Sequence, residues 1–325
     1  MNTSALEIDS LRVDFQTKSR TIHAVRDVSL TVARGEAIGI LGESGSGKSV
    51  TGRALMGLLQ ESNVSVDFER FTLAGSPIKR SESQHVRHGI AMVFQNPFTA
   101  LNPVFKVGHQ LTDVLVKVKG YSKQAAHARA IELLDQVRIP AARDRMNSYP
   151  HELSGGMQQR VVIALALALE PKVMVADEPT TALDVTVQAQ ILDLLEELRI
   201  TQEMALIFIS HDIDVVAEVS SRIYVMYSGR IVEEGLSQEV VSFPQHPYSM
   251  GLLESAPRIG HRAERLMTIP GSPPPAGESI EGCAFNPRCR FAQDICRQQN
   301  PPPLAGDNGF SRCHFTPAQL KENKR

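Results

Sequence analysis

The segment Gly42-Glu43-Ser44-Gly45-Ser46-Gly47-Lys48-Ser49 fits a phosphate-binding pattern: two glycines with four residues between them, then lysine and a hydroxyl residue. A glycine-rich loop can curl until its backbone N–H groups point at phosphate oxygens. The helix that follows adds the positive end of its dipole. In such a loop Lys48 reaches the β- and γ-phosphates and Ser49 ligates Mg²⁺. Gly42, Ser44, Gly45, Ser46, Gly47 and Val50 complete the expected nucleotide-binding stretch. A second constellation lies downstream. The apolar run Val173-Met174-Val175-Ala176 ends in Asp177-Glu178, which puts two carboxylates at the C-terminal end of a buried strand, where α/β sheets bind ligands. Asp177 is expected to hold Mg²⁺, and Glu178 to orient and polarise an attacking water. Alone, an Asp-Glu pair reads as a solvated strand end. Beside a phosphate cradle it reads as a site for hydrolysing a nucleoside triphosphate.

The elements that must position these groups alternate between short apolar runs and helical patterns, which predicts an α/β fold with a largely parallel sheet. Ala37 to Leu41, Ile90 to Phe94, Lys172 to Ala176 and Ala205 to Ile209 read as buried strands. Val50 to Leu59 reads as the helix after the cradle. Thr186 to Ile200 is amphipathic, with Val187, Ile191, Leu194, Leu195 and Leu198 at helical spacing. Ile223 to Met226, Ser228-Gly229 and Arg230 to Val232 predict a hairpin. Lys106 to Arg145 has few strand signals and reads as a helical insertion, part of a subdomain of about residues 100–160. Near Phe243 a series of prolines begins and precludes any long helix. A boundary there divides residues 1–243, the main unit, from a tail of residues 244–325.

Composition sets outer bounds. The chain has 325 residues, 42% hydrophobic and 22% charged, which suits an ordinary soluble protein of about two units. Its formal charge of -2 gives no basic footprint for nucleic acid. No apolar run approaches the roughly 20 residues that cross a bilayer, and the first residues have no secretory pattern. The expectation is a cytosolic protein that reaches a membrane only by docking onto other subunits.

Leu153-Ser154-Gly155-Gly156-Met157-Gln158-Gln159-Arg160 opens a strongly helical run, and Ser-Gly-Gly at a helix start makes a second anion site. One chain then carries two elements that seek a γ-phosphate but only one cradle, a mismatch that a second copy or a relative would resolve. With these elements on the page, the sequence closely resembles the ABC ATPases over about residues 5 to 240. Leu153 to Arg160 is similar to their signature motif, Gln95 to the Q-loop glutamine, Ala182-Leu183-Asp184 to the D-loop, and His211 to the switch histidine. The resemblance implies two such units paired head to tail. ATP would lie between the cradle of one and Ser154, Gly155, Gly156 and Gln158 of the other, with Asp184 nearby. His211 would stabilise charge on the γ-phosphate. Gln95 would contact Mg²⁺ or the water and signal to membrane subunits through the helical insertion. Phe15 stands where the family places an adenine-stacking aromatic. From its own position it reads equally as a core residue of the first strand.

The tail narrows the subfamily. His246-Pro247-Tyr248-Ser249, Leu252-Leu253, Ala256-Pro257 and the stretch from Cys283 to Cys289 resemble the C-terminal extension of the dipeptide and oligopeptide importer ATPases. Phe94-Gln95-Asn96-Pro97, Leu101-Asn102-Pro103 and the run from Asp177 to Thr186 carry the same wording, so the resemblance covers nearly the whole chain. All four cysteines, Cys283, Cys289, Cys296 and Cys313, fall in the tail, separated by five, six and sixteen residues. Disulfides do not suit a reducing cytosol. Zinc favours a tight C-x₂₋₄-C pair, which is missing. Four thiolates can hold an iron–sulfur cluster, and the subfamily resemblance points to [4Fe–4S]. Zinc and free thiols stay open as alternatives.

The resemblance therefore implies an ATP-hydrolysing importer subunit that powers uptake of di- and oligopeptides from the cytoplasmic face of the membrane. It would pair with a second, related and non-identical ATPase subunit. Two permease subunits and, indirectly, an extracytoplasmic substrate-binding protein complete the set. An alternative is that the chain is an ATPase of the same subfamily serving another solute, such as nickel, glutathione or a cationic peptide. ABC ATPases that act on DNA or ribosomes usually carry two fused units or a long coiled-coil insertion, and neither pattern is found here.

Overall fold

The computed structural model describes residues 4–79, 89–181, 183–255, 269–275, 278, 280–306 and 308–322. Its centre is a sheet of eight strands in the order β12-β13-β11-β10-β3-β9-β8-β7. The strands are β3 (Ala37–Leu41), β7 (Ile90–Val93), β8 (Val173–Asp177), β9 (Ala205–Ser210), β10 (Arg222–Tyr227), β11 (Arg230–Leu236), β12 (Leu304–Ala305) and β13 (Phe310–Ser311). From β10 to β7 all neighbours are parallel. The inner strands are buried on both faces, which is why they read as unbroken apolar runs. Side chains still alternate between two cores. Leu206, Phe208, Met174, Ala176 and Leu41 face the helices. Ile207, Ile209, Val173, Val175, Ile38 and Ile40 face the second sheet.

That second sheet is antiparallel. It contains β1 (Ser4–Gln16), β2 (Thr21–Ala33), β4 (Val64–Asp67), β5 (Arg70–Leu73) and β6 (Ser76–Pro77), ordered β2-β1-β5-β6 with β4 also on β1. The strands β1 and β2 have 13 residues each and show no strict alternation of buried and exposed residues. Their pairing has four register irregularities, and Ser10 and Asp27 sit at φ of 54° and 61°. Such bulges break the period of two.

Between the sheets lies α1 (Lys48–Leu55), which starts two residues before the predicted Val50 because Gly47 supplies a left-handed cap at φ 108°. The helical subdomain holds α2 (Pro97–Ala100), α3 (Val107–Lys117), α4 (Lys123–Gln136), α5 (Ala142–Arg145) and α6 (Gly155–Leu167). In α3, Val107, Leu111 and Leu115 recur every four residues and are all buried. Two helices return to the sheet, α7 (Val185–Thr201) and α8 (Ile213–Val219), followed by α9 (Ser237–Ser242).

The tail begins with α10 (Pro247–Ser255) and continues through α11 (Asp294–Gln298) and α12 (Pro317–Glu322). It is built onto the main unit. Its β13 pairs with β11 and extends the central sheet. Tyr248, Leu253 and Phe285 belong to the main core. Glu233 of β11 fixes the entry to α10 by accepting from the backbone N–H groups of Gln245 and His246 at 2.7 and 2.9 Å. Among the described residues no helix is long and apolar enough to cross a membrane.

Candidate active site

The cradle loop leaves β3 and turns directly into α1. A Cβ at Gly42 would lie 2.3 Å from the Met226 carbonyl oxygen of β10, so only glycine lets the loop leave the sheet there. Gly45 and Gly47 take φ of 80° and 108° and aim the following N–H groups outward. Lys48, the first residue of α1, is buried. Its Nζ donates to the carbonyls of Gly42 (2.6 Å) and Glu43 (3.0 Å). Those bonds use two of the three donors and leave one for a phosphate. Burial lowers the lysine's pKa, while Glu178, Asp177 and Glu43 act to raise it.

Ser44, Gly45, Gly47, Lys48, Ser49 and Val50 line one cavity of about 830 Å³. Gln95, Glu178 and His211 line it from three other strand ends. Gly42 and Ser46 lie behind the lining. Ser46 is 3% exposed, and its Oγ has no protein partner. Ser49 Oγ donates to Asp177 Oδ1 at 3.0 Å. Burial raises the carboxyl pKa of Asp177, and the Ser49 bond opposes the rise. A hydroxyl and a carboxylate held together beside a phosphate cradle form the hard oxygen pair that Mg²⁺ takes, with waters and phosphates completing its shell. The donor set therefore fits that ion.

Glu178 is the hub of the site. Gln95 Nε2 and Thr181 Oγ1 both donate to its Oε2 at 3.0 Å, and His211 Nδ1 lies 3.2 Å from its Oε1. The residue adopts φ of 46°, with its N–H bound to the Ile209 carbonyl at 2.9 Å. Left-handed backbone at a residue with a Cβ costs on the order of 1 kcal/mol and tends to occur where function needs a side chain aimed off the sheet. Thr181 was not singled out from the sequence. Its signals were its place three residues after Glu178 and its membership of the run from Asp177 to Thr186.

Ser154, Gly155, Gly156 and Asp184 lie outside the cavity lining. Ser154 caps α6, its Oγ accepting from Met157 N–H at 3.3 Å, and Asp184 caps α7 through Val187 N–H at 3.0 Å. A Cβ at Gly156 would meet Val187 at 2.6 Å, so the glycine lets α6 approach α7. Gln158 departs from the expectation of a ligand contact. It is 3% exposed and donates to the Leu153 carbonyl at 3.1 Å, so it braces the signature turn from inside. Phe15 is also absent from the lining, because its ring packs against the core between the sheets. His23, Ala24, Arg26 and the tail residues Pro273, Pro274 and Pro275 form that wall instead. Ala182 of the expected D-loop lies outside the described residues.

The four cysteines are all free, and they line one small apolar cavity of about 20 Å³ with Phe285, Phe291 and Pro301. Burial pushes the thiols up, Cys283 to about 11 and Cys289 to about 12, with Cys313 raised as well. Among the described residues no group of three or more His, Cys, Asp or Glu is arranged to hold a single metal ion.

Comparison with known proteins identifies the family. The family model for ABC transporters matches residues 25–181, and that for the oligopeptide/dipeptide transporter C-terminal region matches residues 232–296. The oligopeptide transport ATP-binding protein OppD of Haemophilus influenzae is 48% identical over 296 residues, 90% of this chain and 91% of the relative. The dipeptide transport ATP-binding protein DppD of Escherichia coli K12 is 44% identical over 315 residues, 95% of this chain and 96% of the relative. Among solved structures, cbiO1 of Clostridium perfringens superposes with a TM-score of 0.62 at 29% identity, covering 74% of this chain and 92% of that one. A dimeric ATP-binding cassette in a post-hydrolysis state with ADP and Pi gives 0.62 at 27%, covering 71% and 98%. The chain belongs to the ABC transporter ATP-binding subunits, in the dipeptide/oligopeptide importer family.

Proposed function

We propose that this chain hydrolyses ATP to power uptake of di- and oligopeptides, as one of two ATPase subunits docked on two permease subunits at the cytoplasmic side of the membrane. The peptide assignment is carried by one observation: the tail matching the peptide-transporter C-terminal region is packed into the same core as the ATPase site. In the reaction, Glu178 accepts a proton from the attacking water while Gln95 and Thr181 fix the carboxylate's orientation. Lys48 and His211 offset charge on the transferred phosphoryl group. Mg²⁺, held by Ser49 and Asp177, would supply charge neutralisation across the phosphates.

The signature turn at Ser154 does not line this chain's own cavity, which favours completion of the site by a second chain. The related cassette with ADP and Pi was solved as a dimer. Phe98, Val104 and Phe105 are exposed shortly after Gln95, apolar side chains suited to contact with a permease loop. Phe15 remains the proposed adenine-stacking residue, which requires its ring to leave the core edge.

The convergence of four thiols, two buried and two half-buried, on one apolar cavity favours a four-iron cluster over a single ion, because a cubane spreads its cysteine ligands more widely. Cys283, Cys289, Cys296 and Cys313 would hold it. Iron and sulfide near four each per chain after anaerobic purification support this, and metal-free protein refutes it. The transport reading is tested by reconstituting the chain with its co-encoded permease subunits and binding protein in vesicles. Peptide-stimulated ATP hydrolysis with peptide accumulation is expected. Stimulation by nickel or glutathione alone refutes the peptide assignment, and failure to bind any permease refutes the transport role.

A further inference from the structure

Arg288 sits in the short turn just before Cys289, yet its side chain reaches the phosphate cradle. Its Nη1 and Nη2 donate to Oε2 and Oε1 of Glu43 at 2.6 and 3.0 Å, a two-pronged pair across 245 residues of sequence. Its Nε donates to the Pro270 carbonyl at 3.0 Å, and its side chain is 5% exposed. Tyr248, also of the tail, accepts from Glu43 N–H at 2.8 Å. The Glu43 carbonyl accepts from Lys48. Every polar group of Glu43 is thus fixed, most of them by the tail. Beyond Pro270 the chain runs on as the three prolines that wall the nucleotide cavity. The carbonyl of Glu278, just past them, accepts from Arg26 at 3.1 Å.

A carboxylate on a loop that must bind a triphosphate is a liability unless its charge is cancelled. A partly buried ion pair adds little net stability, so the role of this one is sought in its position at the cradle. We propose that Arg288 is a positioning residue for ATP binding. By holding Glu43 it cancels a negative charge at the cradle, fixes the loop's shape, and makes ATP affinity depend on the docked tail. This rests on the cradle's assignment as the ATP site.

The test is the dissociation constant of fluorescent mant-ATP with Mg²⁺, measured on the full-length chain, together with kcat at saturating ATP in the assembled transporter. Arg288→Ala should weaken binding about tenfold, the effect of one uncompensated unit charge near a polyphosphate at an effective dielectric of about 20. Its kcat should stay within about threefold of wild type. Glu43→Gln should bind at least as tightly as wild type, and adding it to Arg288→Ala should restore affinity. Unchanged affinity in Arg288→Ala, or a loss that Glu43→Gln does not rescue, overturns the proposal. Lys48→Ala separates the two levels. If it binds ATP like wild type, the cradle assignment fails. If it loses affinity while Arg288→Ala does not, only the role of Arg288 fails.

Discussion

Replacing Glu178 by glutamine isolates the proton-accepting step, because the site preserves the shape of the side chain. An amide oxygen in the place of Oε2 still accepts from Gln95 and Thr181, both at 3.0 Å, and the amide nitrogen then faces His211. The fold and the left-handed turn at residue 178 are left alone. What disappears is the base. General-base catalysis contributes about 10²- to 10⁴-fold, equivalent to roughly 3–5 kcal/mol in the barrier. Binding should move the other way. Removing a carboxylate roughly 6 Å from a phosphate at an effective dielectric of about 20 relieves at most ~3 kcal/mol per unit charge, and solvent screening reduces this. The affinity for mant-ATP should therefore be equal or up to about tenfold tighter, and ATP should hold two subunits together. Phosphate release by the assembled transporter at saturating Mg-ATP reads the first effect, and equilibrium fluorescence titration the second. Turnover within about threefold of wild type would remove Glu178 as the base.

Asp177→Asn should lower Mg-dependent hydrolysis by about 10²-fold or more through loss of the metal ligand, while raising the thermal midpoint of the nucleotide-free chain, because burial already disfavours the ionised acid. A midpoint that falls would contradict this. His246 reports tail docking through pH. Burial holds its imidazole down at about 4, so below pH about 6.5 the unfolded chain takes up a proton that the folded chain refuses. The stability tied to this group is present above pH 6.5 and is lost as pH falls toward 4, by ~3 kcal/mol at most. The neighbouring Glu233, whose pKa burial raises, works in the opposite sense. Thermal melts from pH 4 to 7 should show a shallower acid loss in His246→Gln than in wild type, and equal slopes would count against the buried neutral imidazole.

The strands that carry the chemistry were legible because each is a short run buried on both faces and ended by a residue with a role. Gly42 follows β3, Gln95 lies two residues past β7, Asp177 ends β8 with Glu178 just beyond it, and His211 follows β9. The hairpin of β10 and β11 was equally plain, with Ser228 and Gly229 at φ of 46° and 80° in its turn. The long hairpin of β1 and β2 was obscured by its bulges, and the two-residue strands β12 and β13 are too short to show any period. The tail's integration was hidden for a different reason. Arg288–Glu43 and Glu233–His246 join residues distant in sequence or bonded through backbone groups, and neither leaves a local pattern. Gln158 matched a motif by position, but its direction is set by how α6 packs, and spacing along one chain does not report that.

The most direct measurement is a cryo-electron microscopy structure of the assembled transporter carrying Glu178→Gln with Mg-ATP. Triphosphate density bridging residues 42–49 of this chain and the serine–glycine turn of the opposing subunit, with Ser154 at the phosphate of the facing site, is the expected result. A tightly closed, ATP-filled pair in which Ser154 opens onto solvent would contradict it.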